Sequence, residues 1–100
     1  MADDEMILLD ERMGLAQAKK FLPLFAAALM RGTAISIDGS RVQQIDGASL
    51  QLLVSLWRTA ADHGITCQWS GTTDWLCHAA RLIGVAEALK LPDCREGRAR

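Results

Sequence analysis

The side chains able to carry covalent or metal chemistry are few: Cys67, Cys77, Cys94, His63 and His78. A structural zinc site needs ligands at short fixed spacing, and these residues form neither a C-x-x-C pair nor two histidines four apart. No metal ligands are therefore assigned. Nucleophilic catalysis by Cys77 needs a base on the same side, yet His78 follows it directly and lies about 100° around a helix. His63 falls at the end of another helical segment, where a cation complements the dipole. With no tyrosine, no G-x-S-x-G elbow and no phosphate-cradling glycine loop, the sequence predicts no catalytic residues and no cofactor. A small thiol enzyme using Cys77 or His78 stands as the alternative, and it requires a thiol of depressed pKa.

What remains is a binding module, and composition narrows the partner. Eleven basic residues stand against twelve acidic ones, a formal net charge of −1, which leaves no clustered positive charge for a phosphate backbone. Nucleic acid is not expected. One hundred residues with 50% hydrophobic content suit a single domain with one core. The start MADDE is acidic where a signal peptide is positive, and no run approaches the ~20 apolar residues of a membrane span. These features predict a cytoplasmic protein without direct membrane insertion. Three cysteines without framework spacing fit reduced thiols, and Cys67 and Cys77, in a strand and a helix, read as small buried hydrophobes.

The elements follow from periodicity and punctuation. Met6–Leu9 is a short apolar strand, with a possible second extended piece at Glu11–Gly14. Leu15, Ala18, Leu22, Phe25, Ala26 and Leu29 recur at helical spacing up to the stop at Gly32, and Pro23 predicts either a kink near Lys19–Lys20 or a later helix start. Thr33–Asp38 is a strand leading into the turn Gly39-Ser40. Gly47–His63 is the clearest helix, with Gly64 as its left-handed cap. Ile65–Trp69 is a further strand, Thr72 or Thr73 caps a helix to about Ile83, and a last short helix runs from Val85 to Leu91 before Pro92. The alternation makes the class α/β, with residues 1–5 and the basic tail 93–100 outside the domain at 6–92. Asp38 at a strand end invites comparison with a phospho-accepting receiver domain. The acids Asp3 and Asp4 precede the first strand instead of following it, and the chain is too short for five βα units of about 20 residues.

The segment IDGSRVQQIDGASLQLLVSLWRTAADHG, Ile37 to Gly64, resembles the STAS domain of bacterial anti-sigma-factor antagonists. Asp38 and Ser40 occupy the D-x-S of that pattern, Val42 and Ile45 its hydrophobic pair, and Asp46 the acid that opens the signature loop. Leu50, Leu52 and Leu53 match the first turns of the helix, and flanking segments extend the resemblance over roughly residues 6 to 92. The resemblance implies a small sheet with helices packed mainly on one face. It further implies a non-catalytic regulatory module that binds an anti-sigma factor or signalling kinase, including chemotaxis-associated forms. Members that regulate an ABC transporter ATPase in lipid transport give the alternative partner. Phosphorylated members carry a hydroxyl after the aspartate, whereas Asp46 here is followed by Gly47 and Ala48. Ser49 is then either a displaced phospho-acceptor or an early helix residue satisfying backbone N–H groups.

A helical projection from Leu50 gathers Leu53, Val54, Trp57 and Ala61 into a core stripe and puts Gln51, Ser55, Arg58, Thr59 and Asp62 in solvent. Ser49, Leu52, Leu56 and Ala60 fall between, either as core against a neighbouring helix or as partner surface. The partner-binding set expected from the resemblance is Asp46, Gly47, Ala48, Ser49, Leu52 and Leu56. Trp57 is assigned to the core, while Trp69 and Trp75 suit either a core or an interface anchor.

Overall fold

The computed structural model describes residues 5–91. Two parallel sheets organise it. The main sheet has β1 (Glu5–Leu8), β3 (Ile35–Asp38) and β5 (Cys67–Gly71), with β3 central. A two-residue ladder joins β2 (Arg12–Met13) to β4 (Gln44–Ile45). Helices α1 (Leu15–Arg31) and α2 (Gly47–Asp62) are the crossovers, and α3 (Asp74–Leu82) follows β5. This is the α/β domain expected, with three helices and a small parallel sheet.

Register explains which face of the sheet is covered. Ile7 lies beside Ile37 and Ile37 beside Trp69, so side-chain alternation points all three to one face, where Ile7, Ile35 and Ile37 are buried. Phe21, Phe25 and Ala28 of α1 and Leu50, Leu53, Val54, Leu56 and Trp57 of α2 belong to the same buried cluster. The opposite face carries Met6, Leu8, Gln68 and Ser70, all exposed.

Helix α1 starts at Leu15 and runs through Pro23 without interruption, so the expected late start is corrected. Pro23 is exposed, and the carbonyl that its missing N–H leaves free belongs to exposed Lys19, where water can take the place of the donor. Gly32 closes α1 in the left-handed region, φ 74°, as expected. The strand expected at Ile65–Trp69 is shifted to Cys67–Gly71, because Ile65 N–H still bonds back to the end of α2, at Ala60 O, 2.8 Å. The helix expected over Val85–Leu91 is a run of turns. Its backbone bonds span four, three and five residues (Leu89 to Val85, Lys90 to Glu87, Leu91 to Ala86), and Lys90 has φ 55°, which breaks any helical repeat. Seven residues are too few to sustain a helix by propensity alone. Trp69 Nε1 donates to the Leu89 carbonyl at 2.9 Å and ties this turn to β5.

Glu5, assigned to the N-terminal segment from sequence, begins β1 and pairs with Arg31 at 2.8 Å. The tail 93–100, Pro92 and Cys94 lie outside the described residues.

Gly39 is the position where two strand ends meet α3. A Cβ there would come within 2.9 Å of Leu76 Cδ2 and 3.1 Å of Trp69 Cζ3. Its N–H donates to Gly71 O at 2.8 Å, so this corner closes only around a residue without a side chain. Asp38 Oδ1 accepts from Ser40 N–H at 2.9 Å, and hydrogen bonding to Ser40 holds its carboxyl below the usual range.

Candidate functional site: the paired helix starts

The β2–β4 ladder places the starts of α1 and α2 side by side. Arg12 pairs with Gln44 and Met13 with Ile45, and each strand feeds its helix after one residue, Gly14 or Asp46. Asp46 N–H donates to Met13 O at 3.0 Å, while its carboxylate Oδ1 accepts from Ser49 N–H at 2.9 Å as the N-cap of α2. Gly14 N–H is satisfied by the Gln17 side chain at 3.0 Å. A Cβ at Gly14 would stand 4.0 Å from Asp46 Oδ2, so the two caps are neighbours.

Ser49 is the bolt between them. It is 0% exposed, and its hydroxyl donates to Gly14 O at 3.2 Å, a carbonyl that also accepts from Ala18 N–H at 2.9 Å. The hydroxyl is thus buried and bonded across to the start of α1, while the Ser49 N–H is taken by Asp46. Leu56 is likewise 2% exposed and packs in the core, since α1 covers that flank of α2. Of the set expected from sequence, Asp46, Gly47 and Ala48 are exposed, Leu52 is partly buried at the margin of the core, and Ser49 and Leu56 are buried. Ala61, assigned to the core stripe, is exposed, because β5 is the sheet edge. No neighbouring glycine or side chain approaches Gly47 within 4 Å of a notional Cβ, so the turn opens outward.

Among the described residues the remaining reactive side chains are dispersed. Cys67 is half-buried, and burial pushes its thiol up to about 12, the opposite of an activated nucleophile. Cys77 is 4% exposed on α3, while its neighbour His78 is exposed. His63 caps the end of α2 with Nδ1 2.9 Å from Thr59 O. Among the described residues no group of three His, Cys, Asp or Glu side chains gathers as a metal site, and no helix is long and apolar enough to cross a membrane. Trp57 is core, stacked on Trp69 at 4.8 Å, whereas Trp75 is exposed. Trp57 Nε1 is buried without a hydrogen-bond partner among the described residues.

Sequence pattern alone missed the β2–β4 ladder and the Ser49 bond, although the extended piece at Glu11–Gly14 touched the first of them. No curated protein matches the chain. A family model described as Mlab, STAS domain matches residues 2–92. That match spans both sheets, the three helices described and the Asp46 turn, and with it the chain belongs to the STAS domain family, whose members are generally non-catalytic regulatory modules acting through protein contacts.

Proposed function

We propose that this protein is a non-catalytic docking module that occupies a partner protein through the exposed turn Asp46-Gly47-Ala48 and the adjoining Leu52 on α2. The observation carrying this reading is the contrast within one helical turn. Ser49 fastens the helix start from inside and gives its N–H to the Asp46 cap, while the three residues before it stay exposed. A preorganised, solvent-facing turn loses little freedom on binding. In the antagonist version of the family the partner is an anti-sigma factor or signalling kinase, chemotaxis systems included, and phosphate on the loop breaks the contact by adding charge.

A second reading follows from a specific observation. Gly47 and Ala48 have no hydroxyl and Ser49 is sealed, so the turn offers a kinase no accessible acceptor. Constitutive docking suits a standing subunit, and regulation of an ABC transporter ATPase in lipid transport is that alternative. Affinity capture from native lysate, with mass spectrometry of both the protein and what it retains, separates the two. Recovery of a signalling kinase or anti-sigma factor supports the first, and recovery of a transporter ATPase from detergent-solubilised membranes supports the second. Phosphate on the chain with release of the partner would contradict constitutive docking.

A further inference from the structure

Strand β5 is an edge of the main sheet, with β3 on its one paired side. In a parallel ladder alternate residues turn both main-chain groups toward the same neighbour. Thr66 O accepts from Ile35 N–H at 2.8 Å and Cys67 stands beside Ile35, so Gln68 faces β3 while Cys67 and Trp69 turn their N–H and C=O groups away from it. Among the described residues no main-chain bond is made to those outward groups. A row of free donors and acceptors along an edge is a template for one more strand.

A groove with a distinct charge runs beside this row. Two hollows share Trp57, Cys67 and Lys90 and together follow the chain from Ile65 to Thr72. Trp69, stacked on Trp57 at 4.8 Å, lines one hollow, and Arg58 lines the other. Arg58 and Lys90 are exposed, neither belongs to an ion pair among the described residues, and no acidic side chain lines either hollow. The opposite edge differs. Beside β1 the hollow is lined by Glu5 and Lys20, one charge of each sign, and both are taken within the chain by Arg31 and Asp10.

We infer that β5 takes an added strand from an acidic, extended segment of a partner protein, whose main chain bonds to Cys67 and Trp69 and whose carboxylates meet Arg58 and Lys90. The main-chain bonds supply affinity, and the two cations select the sign of the sequence. The chain's own residues 92–100 carry the wrong charge for this role, three arginines against Asp93 and Glu96. Arg58 is about 18 Å along α2 from Asp46, so this is a second surface, separate from the turn that starts the helix.

The probe is the blocked peptide Ac-Glu-Val-Glu-Val-Glu-NH2, titrated into the isotope-labelled full chain and followed by amide NMR. It should bind with a dissociation constant below about 1 mM and weaken at least about tenfold between about 50 and about 500 mM NaCl, because exposed charges are screened. Ac-Lys-Val-Lys-Val-Lys-NH2 should not bind. At saturation, amide exchange at Cys67 and Trp69 should slow at least about tenfold more than at Gln68, which is already bonded to β3. Arg58→Glu combined with Lys90→Glu, both at exposed positions, should abolish binding with an unchanged melt, and the two wild-type readings stand independently of that variant. No binding at about 1 mM, equal binding of the lysine peptide, binding undiminished in the folded charge-reversed variant, or binding that leaves the Cys67 and Trp69 amides unprotected would each overturn the assignment.

Discussion

Ser49 gives the sharpest quantitative expectation. Ser49→Ala removes one hydroxyl bond to Gly14 O, but that carbonyl keeps its bond from Ala18 N–H, so no acceptor is stranded. The loss should be about 1 kcal/mol, the ordinary net value of an internal hydrogen bond. Ser49→Asp is different in kind. At a position 0% exposed, the carboxylate would sit against the Gly14 carbonyl oxygen, another acceptor, with its own helix start already capped by Asp46. A buried carboxyl is raised by up to 3–5 pH units, and a shift of about 3 units corresponds to about 4 kcal/mol at neutral pH. Against a total stability of about 5–15 kcal/mol this approaches unfolding. In a domain of this size 1 kcal/mol moves the midpoint by about 4–8 °C, so thermal melts should show a small drop for Ser49→Ala and a several-fold larger one for Ser49→Asp. The sign with pH is also fixed. The folded pKa of the introduced Asp lies above its unfolded value near 4, so the ionisation part of the variant's deficit is absent below that pH and grows as pH rises toward the folded pKa. A Ser49→Asp protein that melts within about 4 °C of wild type at pH 7 would refute the buried bolt, and with it the sealed-acceptor reasoning.

Other outcomes follow from the same contacts. Gly39→Ala forces a methyl against Leu76 and Trp69 and should cost about 1–3 kcal/mol in urea unfolding. Gly47→Ala, with open space and no left-handed backbone, should be neutral or stabilise by up to about 1 kcal/mol. Trp57→Phe gives up part of the stacking on Trp69 but removes an unsatisfied buried donor that costs about 1–3 kcal/mol. Its net change should stay within about 1 kcal/mol, whereas Trp57→Ala should cost about 3–5 kcal/mol. The Cys67 thiol, raised from 9.0 to about 12, should resist alkylation at pH 8 in the native state and react on unfolding. Because its folded pKa is the higher one, its contribution to stability is complete below pH 9 and is lost as pH rises toward 12.

The elements legible in the sequence are those whose cause is local. Helix α2 announces itself through the stripe that includes Leu53, Val54 and Trp57 and through the left-handed Gly64, while the N-cap at Asp46 is seen only in the structure. Helix α3 does so through Thr73, whose hydroxyl accepts from Leu76 N–H and donates to Val42 O. What escaped depends on distant partners. Two-residue strands have no period to detect, yet β2 and β4 decide which residues border the Asp46 turn. The projection left Ser49 and Leu56 between core and surface, and only the position of α1 resolves them. Ala61 failed in the opposite sense, because no strand beyond β5 covers it among the described residues. The segment 85–91 has the composition of a helix, VAEALKL, but Lys90 takes a left-handed conformation that composition does not reveal.

The docking surface is tested most directly by Ala48→Glu. Ala48 is exposed in the first turn of α2, which holds no acidic residue, so a glutamate there favours the helix dipole by about 0.3–1 kcal/mol and leaves the fold intact. The affinity of the captured protein partner for wild-type and Ala48→Glu chains, measured by titration calorimetry beside a melt of each, is decisive. The proposed function predicts a melt at or above wild type with at least about tenfold weaker binding, equivalent to 1.4 kcal/mol. Unchanged affinity in a folded Ala48→Glu protein would place the partner elsewhere and contradict it.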